Sequence, residues 1–231
     1  FFLLSTPLYV RVVVTSGGEI PVEAKEKLSG SSVLDIYSTS SAFVAVLEES
    51  GGIVSWGDLR EGGNCSTVAA ALKGNVARIY SNEKAFAAVT SGDGMVVTWG
   101  RADHGGDSSY VAFRASALTI SSTKNAFAAT LSDGSVVAWG APTSGGNMQS
   151  IASYLQKGVY SVVATCCAFG ALVENGRIVT WGSPKYGGNS QTVEAMLREG
   201  IQSLHASTKN MAALNLHNPG DLGNTQEGDF L

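Results

Sequence analysis

The dipeptide Trp-Gly occurs four times, at Trp56-Gly57, Trp99-Gly100, Trp139-Gly140 and Trp181-Gly182, and these are the only four Trp of the 231 residues. The steps between them are 43, 40 and 42 residues. Self-similarity at a fixed period of this length marks a repeat architecture, in which one supersecondary unit is stacked on its neighbours. Each Trp-Gly is followed by a Gly-Gly pair (Gly62-Gly63, Gly105-Gly106, Gly145-Gly146, Gly187-Gly188) and then by Asn64, Asp107, Asn147 or Asn189. Upstream stands a small-residue anchor: Ala42-Phe43-Val44-Ala45, Ala85-Phe86-Ala87-Ala88, Ala126-Phe127-Ala128-Ala129 and Ala168-Phe169-Gly170-Ala171. A fifth copy reaches Met211-Ala212-Ala213-Leu214 and loses the Trp-Gly segment, and a worn copy opens the chain, with Leu3 to Val14 as a strand and Gly18 as its turn. The expected division of this single repeat domain is therefore a degenerate copy at 1–32, full copies at 33–75, 76–116, 117–158 and 159–200, and a partial copy at 201–231.

One unit shows its physics between Ile120 and Gly140. A strand runs through Phe127 and Ala129, and Asp133-Gly134 supplies a tight hairpin turn, as do Asp93-Gly94 and Asn175-Gly176. A second strand follows over Val136 to Trp139. Both strands are apolar on both faces, with Ala where large side chains would stand, so each sheet should be covered by a neighbour on either side. After the glycine pair the period changes. Val68 and Leu72, Ile151 and Leu155, and Val193 and Leu197 are each four apart, with Ser, Thr, Asn or Asp before them as N-cap and Gly74, Gly158 or Gly200 after them. That predicts one or two helical turns, too short to stand alone and therefore lying on a sheet edge.

With its small-residue strand, Asp-Gly turn, Val-x-Trp-Gly and glycine pair, the unit resembles the repeat of the regulator-of-chromosome-condensation family. In its shorter period and helical turn it resembles the bacterial propeller that inhibits β-lactamases. The resemblance covers residues 33 to about 214 and implies an all-β, propeller-like tandem repeat of about 42 residues per blade. Family rings have seven blades, and their usual Gly-Gln-Leu-Gly tail is Gly-Gly-Asn/Asp here, so a smaller ring, an incomplete ring and an open solenoid all remain open.

Composition narrows function. Charged residues make up 15% of the chain and the net charge is −4; the densest basic spot, Lys25 and Lys27, is flanked by acids. A nucleic-acid surface needs clustered Lys and Arg, so nucleic acid is not expected as a partner. Three Cys (Cys65, Cys166, Cys167) do not make a disulfide framework; a reducing compartment or an organelle fits. No apolar run is long enough for a transmembrane segment. Phe1-Phe2-Leu3-Leu4 is too short for a signal core, Arg11 interrupts the apolar residues after it, and the missing initiator Met suggests processing or a longer parent.

No residues gather into a catalytic, cofactor or metal motif, and no enzyme, cofactor or metal is expected. His104, His205 and His217 fall in different frames of the repeat without ligand spacing. Ser91-Gly92-Asp93-Gly94 is a hairpin turn, Glu48-Glu49 a solvated turn, and Cys166-Cys167 small residues at a strand start where other copies carry Glu83-Lys84 or Lys124-Asn125. The four Trp share one register, which assigns them to a structural slot between blades. The insert after Trp-Gly differs between copies: Asp58 to Glu61, Arg101 to His104, Ala141 to Ser144 and Ser183 to Tyr186. A repeat scaffold diversifies its exposed loops, so the candidate binding residues are Arg60, Arg101, His104, Lys185 and Tyr186. The expected function is a non-catalytic protein-interaction module or an accessory or structural subunit of a larger assembly, with an organelle among the settings that fit, whose partner is another protein or complex. The resemblance alone adds two alternatives: a guanine-nucleotide exchange factor, and a proteinaceous inhibitor of a secreted enzyme.

Overall fold

The computed structural model describes residues 20–215 apart from 30 and 49; the worn opening strand, Gly18, Glu49 and His217 lie outside them. After helix α1 (Val22–Ser29), the strands come in sets. The first set is β1 (Val33–Ser38), β2 (Ala42–Leu47) and β3 (Ile53–Gly57); the second is β4 (Val76–Ser81), β5 (Ala85–Thr90) and β6 (Val96–Gly100). The third is β7 (Ala117–Ser122), β8 (Ala126–Leu131) and β9 (Val136–Gly140); the fourth is β10 (Val159–Ala164), β11 (Ala168–Val173) and β12 (Arg177–Gly182). The fifth holds β13 (Ile201–Ala206) and β14 (Met211–Asn215). Each set is its own antiparallel meander, giving five small sheets that match propeller-like blades. The fold is all-β, as the repeat implied.

One expectation needs correction. The sequence reading gives two strands per unit, whereas the structure has three, the first set off from the second by a turn over 39–41, 82–84, 123–125 and 165–167. The cause is a side chain that takes over the backbone's donors. Thr39 Oγ1 accepts from the Ala42 N–H and Thr165 Oγ1 from the Ala168 N–H, each at 3.0 Å, and Asn82 Oδ1 accepts from the Lys84 and Ala85 N–H groups at 2.9 Å. In every blade the first strand also carries a bulge, so that one extra residue (Leu34 in the first blade) interrupts its pairing with the second strand.

Both faces of the middle strands are buried, as their composition required. Phe127, Ala129 and Leu131 of β8 pack with Ala85, Ala87 and Val89 of β5, while Ala126 and Ala128 pack with Phe169, Ala171 and Val173 of β11. Alternation along one strand thus serves two neighbouring blades. Small residues set the spacing: a Cβ on Gly170 would stand 2.6 Å from Met211 Sδ, so the one Gly in the anchor answers the one Met in the next copy.

The Trp slot is also inter-blade. Phe86–Trp99, Phe127–Trp139 and Phe169–Trp181 stack across strand pairs with centroids 5.2–5.5 Å apart. Each of these Trp donates its Nε1–H to the first glycine carbonyl of the preceding copy: Trp99 to Gly62 at 3.1 Å, Trp139 to Gly105 at 3.0 Å and Trp181 to Gly145 at 2.9 Å. Their indoles are buried, so they are joints between blades.

Helical turns form where the four-residue period placed them: α2 (Ala69–Leu72), and 3-10 segments at Ala152–Leu155 and Gln191–Leu197. Leu72 and Leu155 are fully buried. The expected side-chain N-caps do not form; none of the three starts carries one. Instead Asn64, Asp107, Asn147 and Asn189 each accept from the N–H two residues on, closing an Asx turn that in the first, third and fourth full copies precedes the helical turn. The tight turns differ too. At Asn175-Gly176 both residues have positive φ, but Asp93 and Asp133 do not; their carboxylates instead accept from Thr90, and from Ser135.

Candidate interaction surface

The first-hairpin turns of all five copies stack in one column. The N–H of Ser40 donates to Glu83 O at 2.8 Å, Glu83 to Lys124 O at 3.2 Å, Lys124 to Cys166 O at 2.9 Å and Cys166 to Thr208 O at 2.9 Å. A backbone ladder therefore runs from blade to blade and fixes one residue from each copy on a common edge.

The same turns tie down the variable inserts. Thr39 Oγ1 donates to Glu61 O (3.2 Å), Asn82 Nδ2 to His104 O (2.7 Å), Thr123 Oγ1 to Ser144 O (3.1 Å) and Thr165 Oγ1 to Tyr186 O (2.9 Å). The inserts are single 3-10 turns, Leu59–Glu61, Ala102–His104, Pro142–Ser144 and Pro184–Tyr186, each stopped by a left-handed glycine. Repeat-invariant bonds thus carry side chains that differ at most positions to one end of the blades. Beside the column lies an open groove of about 590 Å³ whose lining includes Asn82, Glu83, Lys124, Thr165, Cys166 and Thr208.

All five sequence-predicted residues lie on this rim, but their states differ. Arg60 is exposed, and its backbone N–H is held by Asp58. Arg101 is clamped by Asp103, Nε to Oδ1 at 2.7 Å and Nη2 to Oδ2 at 3.1 Å, and Asp103 Oδ1 also meets His104 Nδ1 at 2.8 Å. Lys185 lies 5.8 Å over the ring of Tyr186. Arg101 and His104 are therefore one unit organised by Asp103. Hydrogen bonds from Arg101 first and His104 second hold the Asp103 carboxyl down at about 2.

A folded-state value below the ordinary carboxylate value of about 3.9 means the clamp is fully present above that pH and is lost as pH falls through about 2. The Asp103 carboxyl should titrate near pH 2 by NMR, and Arg101→Ala should move the midpoint up toward the ordinary value; an unchanged midpoint would show that Arg101 is not its main partner.

Sequence comparison between copies missed four further rim residues. Lys84 Nζ meets Glu61 Oε1 at 2.9 Å, joining the second turn to the first insert, and Lys124 Nζ meets Glu83 Oε1 at 3.0 Å, joining neighbouring turns. Lys84 holds the Glu61 carboxyl below its usual range, and Glu83 raises Lys124. The signal was the change of charge at positions one period apart, Glu83 over Lys124. Cys166 and Cys167 continue the column without charge, and burial followed by contact with Cys166 pushes the Cys167 thiol up. His205 lies on β13 and meets Ser203.

Among the described residues no three His, Cys, Asp or Glu side chains gather as a metal set, and no helix is long and apolar enough to cross a membrane.

No family model and no curated protein matches the chain. Solved structures do. Yeast RCC1 (Prp20), in its complex with Kap60, aligns with TM-score 0.51 at 15% identity, over 84% of this chain and 51% of that one. Human WBSCR16 aligns with TM-score 0.48 at 15% identity, over 85% and 54%. The ectodomain of the Physcomitrella patens receptor kinase CR4 aligns with TM-score 0.46 at 19% identity, over 66% and 39%. The chain spans about 40–55% of the length of these three. At 15% identity the likeness to yeast RCC1 (Prp20) bears on the β-propeller repeat fold alone.

Proposed function

We propose that the chain is a non-catalytic protein-interaction module, an accessory or structural subunit of a larger assembly, and that it meets its partner with the rim formed by the turn column and the four inserts. The observation that carries this is the pairing of an invariant scaffold bond with a variable side-chain set: the same turn-to-insert hydrogen bond presents Arg60, the Arg101–Asp103–His104 unit and Lys185–Tyr186 on one edge. Loops on a rigid repeat are where recognition diversifies. The rim mixes Arg and Tyr, favoured at hot spots, with ions of both signs that would set register on a protein surface. A yeast protein of like fold, over half of whose length the present chain aligns, was seen bound to Kap60.

The test is recovery of a stoichiometric partner by the full chain from its own source, repeated with Arg60→Glu/Lys185→Glu/Tyr186→Ala. The triple variant is expected to weaken the complex at least about tenfold while leaving the circular dichroism unchanged. Equal affinity in wild type and variant would rule the rim out as the binding surface.

A further inference from the structure

We propose that two of these chains join head to tail: β14 of one seats on Phe43 and Ile36 of the other and carries the blade stack across the chain boundary. The interior of the stack supplies the rule for such a joint. Each middle strand turns alternate residues forward, toward the next blade, and the rest backward. Ala42, Val44 and Val46 of β2 face forward and pack with Ile79 of β4 and Phe86 of β5. Ala85, Ala87 and Val89 of β5 pack with Ile120 of β7 and Phe127 of β8 in the same way. In both joints a forward row of small or branched residues receives an Ile and a Phe from the following blade.

Each end of the stack carries one half of this joint. On the first blade Phe43 is 39% exposed and Ile36 41%, whereas Phe86 and Phe127 are at 0% and Ile79 and Ile120 at 4%. On the fifth, Leu214 pairs with Ser203, in the place that Val46, Val89 and Leu172 take opposite Asp35, Arg78 and Ser161. Leu214 is 53% exposed, and those three are 5%, 6% and 7% exposed. Asn210 and Ala212 share its face and are exposed as well. The two half-joints therefore stay apart within one chain, and burying them removes apolar surface from water.

The other parts of the joint are divided in the same way. The turn ladder passes from the N–H of one copy to the carbonyl of the next, and among the described residues it stops at the Thr208 N–H and the Ser40 carbonyl. A following chain would offer its Ser40 carbonyl to that Thr208 N–H. Helix α1 and Ile20 cover Ala45, Val54 and Trp56 of the first blade, as Leu72 covers Phe86 and Trp99 in the next joint. Gly18 precedes Gly30 by 12 positions, as Gly146 precedes Gly158, so α1 takes the place of a helical turn. Among the described residues α1 has no strands before it, and β13 and β14 have no helical turn after them. The strand pair of one chain and α1 of another thus make up the blade that neither holds whole. The occupant is a second copy of this chain because the joint continues an interface that the chain already builds between its own blades. It uses a different face on each chain, so it is heterologous and leaves a free face at either end.

The test is sedimentation velocity of the full chain and of two variants at exposed positions, Ile36→Glu on the backward face and Leu214→Glu on the forward face. Wild type should sediment as species heavier than one chain that grow with concentration. Each variant alone should be monomeric, because every chain carries the same blocked face, and its circular dichroism should match wild type. An equimolar mixture should give a species of twice the mass of one chain and none larger. It restores a single joint, between the intact Leu214 face of one variant and the intact Ile36 face of the other. Closure of the stack within one chain, or cover from its own terminal segments, gives a monomer in every sample. A dimer made by like faces leaves one variant dimeric by itself. Either result would overturn the proposal. Arg60→Glu, on the rim, should leave the assembly unchanged, so the two proposals fail separately.

Discussion

Trp139→Ala is expected to destabilise the protein by about 3–5 kcal/mol, the range for truncating a buried large aromatic. The indole is fully buried, stacks on Phe127 at 5.5 Å, meets Phe113 edge-on at 5.6 Å and donates to Gly105 O of the preceding copy at 3.0 Å. Its removal opens a cavity between the second and third blades and leaves a buried carbonyl without its donor. For a domain of this size, that is a fall in melting temperature of roughly 6–20 °C. Trp139→Phe separates the two contributions. It keeps most of the stacking and should cost only about 1–3 kcal/mol, the penalty for the orphaned carbonyl. If Trp139→Phe proved as damaging as Trp139→Ala, the hydrogen bond rather than the packing would be the joint; if Trp139→Ala cost less than about 1 kcal/mol, the inter-blade role of the Trp would be wrong.

The second large effect is expected at the glycine pair. A Cβ on Gly146 would stand 2.3 Å from Gly140 O and 2.4 Å from its carbonyl carbon, both backbone atoms that no rotamer change can move. The preceding Gly145 has φ of 93° and would press a Cβ to 2.5 Å from Phe169 Cδ2. Gly146→Ala must therefore displace the segment that leads into the insert, at a cost of about 3 kcal/mol, the upper end for overpacking. Gly52→Ala is the comparison, because Gly52 has no positive φ and its Cβ would meet only the Ser50 hydroxyl at 3.2 Å. It should change stability by less than about 0.5 kcal/mol. Chemical denaturation of the two variants checks this; a mild Gly146→Ala would mean that the backbone crossing at Gly140 yields easily.

Much of the architecture was legible because the chain states each structural signal several times. The Trp-Gly spacing, the Ala-Phe anchors and the glycine pairs map onto strand ends, middle strands and loop crossings, and two-sided burial followed from Ala at alternate positions of β5, β8 and β11. The turn between the first two strands was not legible, because Thr39, Asn82 and Thr165 make it with side-chain hydrogen bonds and not with a Gly or Pro signal. Residue types also misled at the helical turns, where Asn and Asp before a four-residue period read as N-caps yet close Asx turns.

Variation between copies pointed to the inserts, and the structure gathers Arg60, Arg101, His104, Lys185 and Tyr186 on one edge. It did not reveal that Asp103 organises two of them, nor that Glu61, Glu83, Lys84 and Lys124 join the rim. The Glu61–Lys84 and Glu83–Lys124 contacts cross between copies, and a comparison that stacks copies hides which side chains meet across the stack.

The rim claim is tested most directly by lysine cross-linking of the chain in its native complex. Lys84, Lys124 and Lys185 lie on the rim, whereas Lys73 and Lys157 precede glycines packed against the second-hairpin turns at the other end of the strands, Gly74 by Gly51 and Gly158 by Gly134. Cross-links to the partner concentrated at Lys84, Lys124 and Lys185 are the predicted result. Cross-links concentrated at Lys73 and Lys157, with the rim lysines silent, would contradict it and move the interaction surface to the opposite end of the blades.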